Sequence, residues 1–385
     1  MSLPVPATRP HLPAVLTAQA GRPSKTSMLM RRARLYSAAA LVTTLLLIGF
    51  WPMLVPTPTV AQAPQLEVTD VKAVQVIEDV PLVLGKATIL RIFVTSAING
   101  QARVQVSLGG KSRESVVQVV PGFNTVWAQV DPPVATGQVE ITAKIASASG
   151  EGGNSVSRSV EVVSLTRRGM KVVFLPVDWL NSDRSKYWPA MYNTFVAQGS
   201  DFFRAAFPFA ENNIQITASD SFFALAPQER AIVDGRGNFL WDNITAMYTS
   251  VALAGQRVVG DADLVVGVLP PRWFARNLNE PNTVGLELHA VRQVVANQVD
   301  SDYATLAHEA GHVYGRNDDY NFDINPPKIG NRLDSPGYWV LKARPIDPGA
   351  KPVFYSFMGA SDAASQYWID RTTYMALLSR MQRGP

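Results

Sequence analysis

The stretch AHEAGHVYGRNDDY, residues 307–320, concentrates the residues of this chain whose types and spacing can do chemistry. His308 and His312 are four apart, so on a helix their imidazoles stand one turn apart on the same face, near enough to share one ion. Zn²⁺ takes imidazole nitrogens at about 2.0–2.1 Å in a tetrahedral array, and a catalytic site adds one further protein ligand and an open position for water. Glu309, beside the first histidine, stands where H-E-x-x-H sites carry a general base. The chain has only four histidines in 385 residues. A chance i, i+4 pair flanking a glutamate is therefore a poor explanation.

The third ligand separates the possible mechanisms. No glutamate follows Glu309, which excludes thermolysin-like sites that take one from a later helix. Gly315 suits the left-handed conformation that ends a helix and turns the chain back, and Asp318 then returns a carboxylate toward the metal. Asp319, one position out, competes for that role. His289, in GLELHAV, is the distant competitor and reads better as a structural or substrate-facing residue on a strand at the cleft edge. Asp319 with Asp323 offers oxygens that a structural Ca²⁺ would accept, although a solvated loop is the plainer reading.

The motif resembles the metzincin metallopeptidases, whose pattern is H-E-x-x-H-x-x-G-x-x-H followed by a methionine turn. His308, Glu309, His312 and Gly315 match it, and Asp318 stands at the third histidine, as in snapalysin-like members. Downstream, Tyr355-Ser356-Phe357-Met358-Gly359 looks like the methionine turn, and a helix over about 370–381 resembles the family's last helix. The resemblance covers about residues 170–385. It implies a catalytic zinc held by His308, His312 and Asp318, with Glu309 as general base, Met358 as an apolar floor and Gly315 at the turn. It also implies a protein or peptide substrate. Some members carry a tyrosine two residues after the turn methionine; here that position is Ala360. An aspartate ligand neutralises one unit of the metal's charge, so the bound water is expected to be slightly less acidic than the usual catalytic-zinc value of about 7.

The elements that must hold these residues are legible in the hydrophobic pattern. Asp300-Ser301-Asp302 offers helix caps, and Leu306, Ala310 and Val313 form a buried stripe on the helix that follows. VVFLPV (172–177) and DLVVGVL (263–269) are near-continuous apolar runs, as in strands covered on both faces. Trp188, Met191, Tyr192, Phe195, Phe202 and Ala206 recur at helical spacing between them. A further strand is expected over 283–295. Residues 166–385 thus read as an α/β domain with a mixed sheet. Substrate preference depends on the strand over 283–295 and on the wall after Met358, where side chains such as Tyr367 and Trp368 could shape a pocket.

Residues 65–165 alternate with period two, as in Leu90, Ile92 and Val94, or Val139, Ile141, Ala143 and Ile145. Several short strands with one wet face predict an all-β sandwich, with SASGEGGNS (147–155) as a hairpin loop. The segment PLVLGKATILRIFV from Pro81 resembles the immunoglobulin-like modules that precede catalytic domains in secreted bacterial proteins. With no charge cluster or aromatic platform evident, it reads as a spacer or attachment module, with cell-wall or carbohydrate contact as an extra expectation.

The net charge of +4 suggests a nucleic-acid partner until the charges are located. Residues 1–63 hold six basic residues and no acidic one, which leaves 29 basic against 31 acidic in the remainder. The basic balance belongs to a targeting segment and a nucleic-acid partner is not expected. Arg31, Arg32 and Arg34 precede an apolar run over 38–55 and the small residues Ala61 and Ala63, which reads as a signal peptide or an uncleaved membrane anchor. Translation is expected to begin at Met28 or Met30. The remainder is then secreted or held at the cell surface. Without a cysteine, the chain has neither disulfides nor thiolate chemistry. Two functions of different class emerge: an exported zinc endopeptidase, or a catalytically weak or inactive metallopeptidase-like surface binding or adhesion protein.

Overall fold

The computed structural model describes residues 65–167, 169–178, 188–278, 285–288, 293–321, 324, 326, 328, 330–351, 353–359 and 366–383. The expectations for residues 1–63, His289, Asp323 and Ala360 lie outside the described residues. Among the described residues, no helix is long and apolar enough to cross a membrane.

The first half is a β-sandwich. Its strands are β1 (Leu66–Val74), β2 (Leu82–Val83), β3 (Thr88–Ser96), β4 (Gly100–Leu108), β5 (Lys111–Val119), β6 (Gly122–Val130), β7 (Gly137–Ser147) and β8 (Ser155–Val163). One sheet has the order β1-β3-β6 and the other β2-β8-β7-β4-β5. Leu90, Ile92 and Val94 face Val104, Val106, Ile141, Ala143 and Ile145 in one buried cluster, because alternation puts every second side chain inward. The β4–β5 hairpin turns on Gly109 and Gly110, with φ of 58° and 81°. Two successive positive φ values match the right-handed twist of the strands and exclude most side chains. The 147–155 loop joins antiparallel β7 and β8 as expected.

The second half is a mixed α/β region. Its elements run β9 (Met170–Asp178), α1 (Ala190–Ala206), β10 (Ile214–Ala218), β11 (Phe223–Ala224), α2 (Pro227–Arg230), α3 (Trp241–Val258), β12 (Leu264–Leu269), α4 (Trp273–Asn277), β13 (Gly285–Glu287), β14 (Val294–Gln298) and α5 (Tyr303–Val313). They continue through β15 (Gly337–Trp339), β16 (Arg344–Ile346), β17 (Phe354–Ser356), β18 (Gln366–Trp368) and α6 (Arg371–Arg383). The main sheet has the order β10-β9-β12-β14-β13, with β11 also on β9. All pairs are parallel except β13 on β14. The continuous apolar strands β12 and β14 are buried on both faces. The single expected strand over 283–295 is instead two described strands, β13 and β14, that pair antiparallel.

The sandwich does more than space the chain. Residues 62–385 form one compact unit, because the connection from β1 to β2 enters the core of the α/β region. Val76, Ile77 and Val83 are buried there among Phe203, Phe207, Trp339 and Trp368. The Val76 carbonyl accepts from Trp368 Nε1 at 3.0 Å and from the Tyr338 N–H at 3.1 Å. Lys86 is fully buried, and its ammonium donates to the carbonyls of Arg204 and Phe209 and to Glu211 Oε1 at 3.1 Å. Burial pulls the Lys86 pKa down, and the Glu211 carboxylate opposes that fall.

Tyr367 and Trp368 do not form a substrate wall. Both are buried, at 3% and 0% exposure: β18 pairs with β17, the Trp368 ring packs against Phe202 and Trp339, and Tyr367 belongs to the same buried cluster. On the outer face of the small sheet, Arg91 lies over Phe93 and Trp127, and Phe93 stacks on Phe123. The sequence hides this strip because its members come from two strands.

Candidate metal centre

The helix α5 starts where Asp302 caps it, its Oδ1 accepting from the Thr305 N–H at 2.8 Å and Thr305 Oγ1 at 3.1 Å. It ends where the Arg316 N–H reaches the Gly311 carbonyl at 3.0 Å and the Gly315 N–H reaches the His312 carbonyl at 2.8 Å. That paired closure needs a left-handed residue at Gly315, whose φ is 82°. The chain reverses there, and Asp318 returns alongside the two histidines.

Both imidazoles have their tautomer set by backbone carbonyls. His308 Nδ1 is 3.0 Å from the Phe357 carbonyl and His312 Nδ1 is 2.8 Å from the Arg316 carbonyl. A carbonyl only accepts, so each Nδ1 carries the proton and each Nε2 presents a lone pair. The two Nε2 atoms are 3.1 Å apart, and Asp318 Oδ1 is 3.0 Å from one and 3.4 Å from the other. Three acceptors converging this closely repel one another unless a proton or a cation sits among them. Of the three groups His308 is the one on which a proton is favoured. Burial opposes charge on His308, but the Asp318 hydrogen bond and the Glu309 charge outweigh it and raise its pKa. Burial lowers that of His312. The hydrogen bond with His308 holds Asp318 below the ordinary carboxylate range.

The donor set also fits a metal. A tetrahedron with bonds of about 2.05 Å has edges of about 3.3 Å, close to the three separations. Two imidazoles and one carboxylate suit Zn²⁺ better than hard cations, which prefer six or more oxygens. Among the described residues, His308, His312 and Asp318 are the one group of this kind. Asp319 faces elsewhere: its N–H donates to the Met358 carbonyl, and its carboxylate lies 3.7 Å from Arg316.

Glu309 lies beside this trio, buried at 7% exposure. It accepts from the Glu287 backbone of β13, and burial raises its pKa to about 7. Gly285 on the same strand leaves room for it: a Cβ there would stand 2.8 Å from Glu309 Cγ. Met358 lies under the helix, fully buried, and a Cβ on Gly311 would come within 2.4 Å of its Sδ. Gly311 thus admits the methionine between the turns that carry His308 and His312.

Sequence reasoning missed two neighbours. Tyr320 stacks on His308 with ring centres 6.0 Å apart, and its hydroxyl donates to Asp318. Its position two residues after Asp318 was the available signal. Asn297, fully buried on β14, lies against the same Gly285 position, and neither of its amide atoms has a hydrogen-bond partner among the described residues. Nothing in the pattern of β14 marks it.

No protein-family profile matches the chain, and no curated protein matches it. Solved structures give partial likenesses. The CARDB domain of a Pyrococcus furiosus protein is 17% identical over 26% of this chain and 89% of its own, with a TM-score of 0.21. The PKD domain of an M14-like peptidase from a Thermoplasmatales archaeon is 13% identical over 25% and 94%, with a TM-score of 0.21. Fibronectin(III)-like modules of Clostridium thermocellum CbhA are 15% identical over 26% and 96%, with a TM-score of 0.17. Likenesses this weak leave the function to be argued from the site.

Proposed function

We propose that this chain is an exported zinc-dependent endopeptidase of metzincin type, with His308, His312 and Asp318 as the metal ligands and Glu309 as the general base. The observation that carries the reading is the convergence of three acceptor atoms at 3.0–3.4 Å, each imidazole tautomer set by a carbonyl. A zinc ion held there would polarise a scissile carbonyl and acidify a water.

The chain's own groups supply the rest. Glu309, held by the Glu287 N–H, takes a proton from the attacking water and returns it to the leaving amine, a task suited to a carboxylate whose pKa burial has raised toward neutrality. Among the described residues strand β13 is a sheet edge, so an extended peptide can add beside it with main-chain hydrogen bonds. Tyr320 orients the Asp318 carboxylate and covers one face of the His308 ring. Met358 fixes the height of the helix beneath both imidazoles. The targeting segment read in residues 1–63 supports a site of action outside the cytoplasm.

Zinc content and cleavage of a peptide library by wild type and Glu309→Gln test the reading together. About one zinc per chain in both proteins, with cleavage by wild type alone, is the expected result. Zinc in both with cleavage in neither would favour the binding-protein alternative, and absence of zinc from both would remove the metal site.

A further inference from the structure

A cleft of about 580 Å³ opens beside the trio, between the end of α5 and the last turns of α6. His312 and Gly315 line one side, Ser379, Arg380 and Arg383 line the other, and Glu287 of the edge strand borders it. The cleft therefore touches both the strand beside which a peptide would lie and a residue of the trio. Arg380 and Arg383 are one helical turn apart on one face of α6. Both are exposed, and neither forms an ion pair among the described residues. Among the described residues Glu287 is the one carboxylate in the lining, so the guanidinium groups outnumber it.

Two arginines at the end of a helix have a plainer role, since positive charge there complements the helix dipole. That role does not require them to share a cleft with His312. We infer that this cleft is a specificity subsite that binds a carboxylate of the peptide substrate, with Arg380 and Arg383 as its recognition groups. The inference rests on the peptidase reading and gives it a substrate class: peptides carrying negative charge near the cleaved bond. A guanidinium donates paired hydrogen bonds in the plane of a carboxylate, which sets orientation as well as charge. The carboxylate can come from an Asp or Glu side chain or from a chain terminus, and both present the same planar acceptor.

Binding to zinc-loaded Glu309→Gln full-length protein tests the subsite without turnover. The probes are labelled peptides that differ at one residue, scanned as Asp, Gln and Lys with an amidated end, and a neutral peptide with either a free or an amidated C-terminus. At one position the Asp peptide is expected to bind about fivefold tighter than its Gln counterpart at low salt, with the advantage shrinking in 0.5 M salt. A preference for the free C-terminus instead would assign the site to a terminal carboxylate and support it equally. Arg380→Glu/Arg383→Glu should reverse the preference toward Lys, while Arg103→Gln, on the exposed face of the sandwich, should leave it unchanged. Thermal melting and zinc content establish that the double variant is folded and loaded. Should that folded variant keep the wild-type charge preference, or the parent show none, the subsite is overturned. Charge-selective binding without cleavage of any peptide by wild type would instead keep the subsite and sink the peptidase reading.

Discussion

Replacing Glu309 with glutamine should stabilise the metal-free protein, by an amount that depends on pH. The carboxylate is almost completely enclosed and its pKa stands at about 7, against an ordinary 4.5. In the unfolded chain it loses its proton near pH 4.5, whereas in the folded chain it keeps it until about 7. Between those values the folded state binds more protons, so stability falls as pH rises. Below 4.5 both states are protonated and the penalty is absent; above 7 both are ionised and it is complete. At 1.36 kcal/mol per pH unit, the gap amounts to about 3 kcal/mol. Glutamine does not titrate. The advantage of Glu309→Gln over wild type should therefore grow by about 3 kcal/mol between pH 4.5 and pH 8, and most of the growth should come between pH 5 and 7. Urea unfolding of chelator-treated protein across that range measures it, with the His308 titration followed alongside, because the variant loses the Glu309 charge that helps raise the His308 pKa. A difference flat in pH, or one that grows toward acid, would refute the claim that burial governs this carboxylate.

Other expectations follow from the same geometry. Asp318→His removes a negative charge from the trio, so the acid limb of the pH–rate profile should move to lower pH; a limb unmoved or shifted upward counts against Asp318 as a ligand. Gly311→Ala drives a methyl group onto Met358 Sδ and should cost about 1–3 kcal/mol and weaken zinc retention under chelator competition. Gly315→Ala meets no atom within 4 Å but forces a left-handed alanine, so thermal melts should show a loss of about 1 kcal/mol. Lys86→Ala leaves buried carbonyls and Glu211 without their cation and should cost about 3 kcal/mol or more in urea unfolding, although it touches nothing in the proposed site.

Much of the fold was legible because it rests on local periodicity. Period-two alternation over 65–165 forces one face inward, and the sandwich follows. The apolar runs at 172–177 and 263–269 became central parallel strands because only a doubly covered strand can be apolar at every position. His308 and His312 are neighbours by helix geometry alone, and Gly315 ends their helix because few other residues accept its backbone angle.

What the chain's linear order could not decide depends on meetings between distant segments. That Asp318 and not Asp319 faces the histidines is set by the Asp319 N–H donating to the Met358 carbonyl, a contact between residues nearly forty apart in sequence. The raised pKa of Glu309 comes from enclosure by β13, which no local pattern encodes. Tyr367 and Trp368 read as residues that could shape a pocket until the packing of β17 and β18 buried them, and the entry of Val76 and Lys86 into the neighbouring core has no local signal. His308, Glu309 and His312 thus follow from the sequence by short-range geometry. Their third partner, their electrostatics and the arginine-lined cleft beside them arise only where the folded chain excludes water and brings remote residues into contact.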